Sequence, residues 1–345
     1  MIRRAEELVA AGLVGPERLD EIRRVAERYA VALTPDVAAL IDPADPADPI
    51  AGQFVPRASE LVAAPEERAD PIGDERWSPV PGIVHRHRDR VLLKPTLLCP
   101  VYCRFCFRRE SVGKKEAVLD AAALGRALDY IREHPEIREV ILTGGDPFVL
   151  SPRRLRPIVR ALDGMPQLET IRFHTRVPVV EPRRVGPALI AALAAEKAVW
   201  VVIHANHPRE LTAAARVAAG QLVRAGIPLL SQTVLLRGVN DDAAILGELF
   251  RALVAMRVKP YYLHHPDLAP GTARFRVGIN EGQRLVAALR RELSGLCQPT
   301  YVLDIPGGYG KVPLAEGAAR RNPSTGGWIV RDGQGGEHAY PADPG

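Results

Sequence analysis

Apolar and polar positions along this chain fall into two textures. From Ala5 to Leu33 apolar residues recur at helical spacing and break at Gly15-Pro16, which predicts two short helices. Residues 42–49 form a stiff acidic loop whose Asp-Pro-Ala repeat is local low complexity. Residues 53–77 are irregular, punctuated by proline and acidic side chains. From Val91 onward, apolar runs of strand length alternate with helical segments. The runs lie at 91–98, 139–143, 170–175, 199–205, 229–236, 259–264 and 300–305. The helical segments lie at 121–134, 152–162, 183–197, 210–225, 242–257 and 281–293. Serial βα units build a parallel sheet or barrel. The expected fold is α/β, a partial (β/α)6-type parallel barrel with a helical N-terminal appendage; a doubly wound open sheet is the alternative. The expected division is an appendage over 1–84, a core over 85–315 and a short Gly- and Arg-rich tail over 316–345. Barrels of this kind carry their chemistry at the C-terminal ends of the strands, and the motifs described below fall there.

Composition adds limits. With 345 residues and 47% hydrophobic content, the chain can bury one large core with an appendage. The net charge of +5 is spread over scattered arginines, with no basic stripe interleaved with aromatics, so nucleic acid is not an expected partner. The N-terminus lacks an apolar signal core, and no apolar run has the length of a bilayer span, so no membrane partner is expected.

Cys99, Cys103 and Cys106 stand in C-x3-C-x2-C spacing and are three of the four cysteines. Three thiolates on one loop can hold three corners of a cubane iron–sulfur cluster, leaving one iron open to another molecule. Structural zinc wants four ligands in paired arrays, and His85 and His87 stand in no such spacing. Three clustered cysteines do not pair evenly as disulfides, and plain buried hydrophobes would not cluster. Such free thiols imply a reducing cytoplasm.

Other motifs are open to two readings on residues alone. Thr143-Gly-Gly-Asp-Pro147 is either an ordinary βα turn or a place where Gly144 and Gly145 let a ligand approach the backbone. His204 and His207 could ligate metal, but no carboxylate stands at suitable spacing, and wall residues are the plainer reading. Asp304-Ile-Pro-Gly-Gly-Tyr-Gly-Lys311 is not a P-loop, since Ile305 and Val312 occupy positions that motif reserves. Its glycines let a loop bend and carry an amine into a cavity, where a lysine can react with a carbonyl cofactor such as pyridoxal phosphate (PLP); a surface turn is the alternative. Only six residues are Lys among 46 basic ones, so this lysine stands out. The segment His85-Arg-His-Arg-Asp-Arg90 reads as a phosphate site or a solvated basic turn.

The cysteine spacing resembles that of the radical S-adenosylmethionine (SAM) enzymes. With PGGxGK at 306–311 and the basic segment before the first strand, the chain more closely resembles the lysine 2,3-aminomutase family, from about Asp70 to Pro313. The resemblance implies a 4Fe–4S cluster on Cys99, Cys103 and Cys106 whose open iron chelates SAM, and PLP on Lys311. It places Gly144, Gly145, Asp146, His204 and Gln232 near SAM, and Arg90 and Arg86 at the PLP phosphate. Arg108 resembles the family's arginine for the substrate carboxylate. Asp267 and Asp304 resemble the aspartates that hold the ε-ammonium of lysine, and a buried cation does need such compensation.

The implied activity is an isomerase, an intramolecular aminotransferase that interconverts L-lysine and β-lysine, supplied with electrons by a donor such as flavodoxin or ferredoxin. The resemblance also implies a homo-oligomer, although the C-terminal region looks shorter than in the larger, tetrameric mutases. Phe107 stands where many free-lysine mutases have Thr, a detail shared with the branch that makes β-lysine for elongation factor P, and His87 stands where Tyr is usual. The alternatives are service to elongation factor P, the same reaction on another amino acid, a radical SAM enzyme without PLP, and a non-catalytic iron–sulfur protein.

Overall fold

The computed structural model describes residues 1–114, 118–314, 319–332 and 335–343. Its centre is a nine-stranded sheet in sequential order. The strands are β1 (Ile83–His87), β2 (Arg90–Thr96), β3 (Glu139–Gly144), β4 (Thr170–Thr175), β5 (Ala198–His204), β6 (Leu229–Val234), β7 (Val258–His264), β8 (Thr300–Asp304) and β9 (Lys311–Pro313). From β2 to β8 every neighbouring pair is parallel. A doubly wound sheet reverses its strand order part-way; this one never does, so the sheet curls in one sense as a partial barrel. The edges differ from the sequence expectation: β1 and β9 run antiparallel to their neighbours.

Helices return the chain between parallel strands. Several start where side chains cap free backbone N–H groups: Asp120 for Ala121–Glu133, Thr212 for Ala213–Arg224 and Asp242 for Ala243–Ala255. Pro152 and Pro187 open two others at the first turn, where no N–H is needed. The strands alternate their burial as a half-covered sheet does. Val91 and Leu93 of β2, and Ile171 and Phe173 of β4, are buried in the main hydrophobic core, while Arg90, Leu92, Lys94, Arg172 and His174 face the other, concave side. That concave face carries the polar side chains of the site.

The first 82 residues add helices Ala5–Ala10, Leu19–Arg28, Pro35–Ala38 and Pro49–Phe54. Leu8, Ile22, Leu33, Ile50 and Phe54 join the same core as the barrel. The seam between β1 and β9 is laced by hydrogen bonds rather than strand pairing. Gly307 N donates to Pro71 O at 3.1 Å, Arg76 Nη1 to Gly307 O at 2.9 Å and Trp77 Nε1 to Gly308 O at 3.2 Å.

The residues expected as a C-terminal tail include a second, three-stranded antiparallel sheet: β10 (Ala319–Arg321), β11 (Trp328–Arg331) and β12 (Glu337–Tyr340). Trp328 and Val330 alternate with more exposed neighbours and enter the main core with Tyr340, whose ring meets His265 at 5.7 Å. The expected boundary at 315/316 lies outside the described residues. No helix among the described residues is long and apolar enough to cross a membrane.

Candidate active site

The cysteine loop leaves the C-terminal end of β2. Burial raises all three thiols above their usual range, Cys106 to about 11. After burial, Asp146, Cys106 and Cys103 push Cys99 up, and Cys103 pushes Cys106 up. Among the described residues no three His, Cys, Asp or Glu side chains are grouped to hold a metal ion.

The N-terminal segment holds this loop in shape. Glu60, 1% exposed, accepts hydrogen bonds from Arg104 (Nε 2.9 Å, Nη2 2.6 Å) and from Arg109 Nη2. Arg104 Nη1 donates to Ala30 O at 2.9 Å, and Arg104 N donates to Gln53 O at 2.8 Å. The Arg109 guanidinium lies 3.7 Å from the centre of the Tyr29 ring. Sequence reasoning missed this brace. Its one signal was the pair Arg104 and Arg109, within and just after the cysteine loop.

The glycine turn after β3 packs against the start of the same loop. Gly144 has φ +104°, and a Cβ on Gly145 would lie 2.3 Å from Leu98 O, so these glycines serve a backbone approach within the protein. Asp146 is buried and saturated. Its carboxylate accepts from Thr175 Oγ1 at 2.7 Å, Phe148 N at 3.0 Å, Arg176 N at 2.7 Å and Val177 N at 3.2 Å. It ties the ends of β3 and β4 together.

His204 and Gln232 are register partners on β5 and β6. His204 Nε2 lies 3.1 Å from Asn206 Oδ1, its ring meets Phe105 of the cysteine loop at 5.8 Å, and burial drives its pKa well down. His207 instead caps a turn, its Nδ1 accepting from Arg209 N at 3.2 Å.

Lys311 opens β9 opposite Asp304. Its ammonium donates to Asp304 Oδ2, lies 3.3 Å from His264 Nδ1 and sits 5.4 Å from the centre of the Tyr262 ring. Lys311 and His264 hold the Asp304 carboxyl far below the usual range despite its burial. Asp267 behaves oppositely: burial, then the charge of Asp304, push it up to about 8. Burial, then Lys311, bring His264 down to about 4. The Lys311 ammonium thus pairs with Asp304, while Asp267 feels both charges.

Arg108 is held by Asp74, with Nε at 3.1 Å and Nη2 at 2.8 Å from Oδ2, and its charge is felt at Asp267 and His174. Arg86 donates to Ile72 O at 2.6 Å and Asp74 Oδ1 at 3.2 Å, and its Nη1 lies 4.0 Å from Asp304. Arg90 pairs with neighbouring Asp89 at 2.8 Å and stands at the start of β2, the end away from the cysteine loop; its charge acts on Tyr262 and His87. Asp74, which bridges Arg86 and Arg108, is a further residue that sequence reasoning missed. A cavity of about 250 Å³ beside it is lined by Asp70, Asp74, Lys94, Phe107 and Arg108.

Residues 93–246 match the Radical SAM superfamily. Over 313 residues the chain is 40% identical to the L-lysine 2,3-aminomutase of Acetoanaerobium sticklandii, covering 91% of this chain and 76% of that one. It is likewise 40% identical to the L-lysine 2,3-aminomutase of Clostridium subterminale, covering 91% of this chain and 75% of that one. The chain belongs to the lysine 2,3-aminomutase family. It is also 36% identical over 293 residues to the glutamate 2,3-aminomutase of Clostridioides difficile, covering 85% of this chain and 69% of that one.

The radical SAM domain of an aminomutase implies a 4Fe–4S cluster and SAM, and the loop fits such a cluster. A cubane takes each thiolate on an iron of its own, and its iron charge would offset the burial that lifts the three thiols. Arg176 donates to Cys103 Sγ from one side, and its buried Nε has no protein partner among the described residues. On the concave face, Nε2 of His174 and of His264 and Nε of Arg86 are likewise buried donors or acceptors without protein partners. Polar atoms buried this way are costly unless something completes them.

Proposed function

We propose that this aminomutase uses SAM and PLP to interconvert L-lysine and β-lysine by moving the amino group between Cα and Cβ. The observation that supports the substrate choice is the pair Asp267 and Asp304, two half-buried carboxyl groups whose charges act on one another, with only Asp304 paired to the Lys311 ammonium. When bound, the cluster and SAM supply a deoxyadenosyl radical that abstracts hydrogen, and PLP supplies a conjugated ring that delocalises the unpaired electron.

The chain's residues do the rest. Cys99, Cys103 and Cys106 hold the cluster, beside the SAM-facing wall of Gly144, Gly145, His204 and Gln232. Asp146 supports that wall from within. Lys311 is the amine that anchors PLP, with Arg86, its Nε still free to donate, and Arg90 as phosphate ligands. Engaging Lys311 removes its cation from Asp304, so Asp304 and Asp267 are left to receive a substrate ammonium. Arg108, fixed by Asp74, receives the substrate carboxylate. The ammonium at one end and the carboxylate at the other orient the carbon chain between them and limit its length. The setting is a reducing cytoplasm, with a flavodoxin- or ferredoxin-like donor and self-association into an oligomer.

The test is the reconstituted enzyme on a panel of free amino acids. Lysine should turn over, and norleucine should be rejected by about 10⁴-fold, because it leaves both carboxylates facing nothing. Turnover of glutamate or alanine at the rate of lysine would overturn the reading.

A further inference from the structure

Arg176 follows β4 and is 5% exposed. Its Nη1 donates to Cys103 Sγ at 2.8 Å. Its Nη2 donates to Gln53 Oε1 at 2.6 Å and Glu210 Oε2 at 2.7 Å. The flat guanidinium lies 4.6 Å from the Phe54 ring centre and 5.5 Å from that of Phe105. Glu210 is fixed in turn, its Oε1 accepting from Gln53 Nε2 at 3.1 Å, Asn206 N at 2.9 Å and His207 N at 2.9 Å. Gln53 Oε1 also accepts from Asn206 Nδ2 at 3.0 Å. Three separate segments of the chain thus converge to aim one guanidinium at one cysteine sulfur.

We propose that Arg176 tunes the iron–sulfur cluster: a fixed cationic donor to the Cys103 sulfur that favours the reduced state, with Glu210 as the counter-charge that limits the effect. The inference rests on the cluster reading of the three cysteines. Hydrogen bonds to the sulfurs are among the determinants of cluster potential. The reduced cluster carries one more negative charge than the oxidised one, so a positive N–H donor stabilises it more. The electron itself comes from an external one-electron donor. A charge-assisted hydrogen bond is stronger than a neutral one. The expected effect is a change of about tenfold in the ratio of reduced to oxidised cluster at fixed potential, which is 59 mV for a one-electron couple.

The experiment is a redox titration of the anaerobically reconstituted full chain, followed by the electron paramagnetic resonance of the reduced cluster, with iron counted on the same samples. Arg176→Met keeps the bulk and leaves Glu210 its three other donors. It should hold its iron and lower the ratio of reduced to oxidised cluster about tenfold at the wild-type midpoint. Glu210→Gln keeps the donor but removes its counter-charge, and should move the midpoint the opposite way. Arg176→Lys should fall between wild type and Arg176→Met. An iron-replete Arg176→Met with the wild-type midpoint overturns the proposal. If Arg176→Met does not retain iron, Glu210→Gln decides: a raised midpoint supports the proposal and an unchanged one overturns it. If the wild type itself binds no iron, the cluster reading fails, and that result is distinct from either.

Discussion

Binding of lysine should depend on pH through Asp267. Its carboxyl is raised to about 8 by burial and by Asp304. A substrate ammonium between the two carboxylates favours the ionised form, so binding expels the proton and is hindered wherever Asp267 is still protonated. At about pH 6, some two units below that value, roughly one Asp267 in a hundred is ionised, and ionising it on binding costs about 2.7 kcal/mol. Lysine kcat/KM should therefore rise about tenfold per pH unit from about pH 6 and level off above about pH 8. The α-amino group of the substrate titrates in its own right. The wild-type profile is therefore read against Asp267→Asn, in which that contribution is unchanged. The assay is the initial rate of β-lysine formation at limiting lysine across this range. Equal slopes for wild type and Asp267→Asn would refute the reasoning, because Asp267 would then carry no proton that binding must displace.

Replacing Cys99, Cys103 or Cys106 by Ala should abolish the visible absorbance of the reconstituted cluster; Cys297→Ala, buried in the hydrophobic core, should keep it. Borohydride should trap a pyridoxyl group on Lys311, seen by peptide mass, and Lys311→Arg should show none; an adduct confined to Lys94 or Lys259 would contradict the assignment. Glu60→Gln leaves Arg104 and Arg109 without their buried anion and should lower stability by about 3–5 kcal/mol in denaturant titration. The Glu60 carboxyl is held below its usual range by Arg104 and Arg109 despite its burial. The stability it contributes is therefore present above the unfolded pKa and lost as pH falls through the folded one, so wild type and Glu60→Gln should converge in acid.

Much of the barrel was readable along the chain because its signals are local. Alternation in 170–175 and an Asp before 121 or 243 each lie within one element, and serial repetition of such units specifies a parallel sheet. The edge strands were harder. Residues 83–87 and 311–313 are short, and their antiparallel pairing depends on turns whose direction local pattern does not encode. The C-terminal sheet was read as a tail because Gly- and Arg-rich composition masked the alternation of Trp328 and Val330. In the site, Lys311, Asp304, Asp267 and Arg108 could be named from resemblance, and their charges do act on one another. The brace on Glu60 and the set around Arg176 could not. Gln53 and Glu210 are 157 residues apart, and nothing near either one in sequence announces the other.

The laced seam between β1 and β9 has a consequence for exchange of material with the solvent. A closed barrel can open only by tearing a strand ladder. Here the two lips, one bearing Arg86 and the other Lys311, are joined through hydrogen bonds from the turn at 71–77 to Gly307 and Gly308. Each is worth about 0.5–1.5 kcal/mol, so parting them leaves every parallel pair intact. The amides along the β9 lip that carries Lys311 should therefore trade hydrogen for deuterium well before those of β3 to β6.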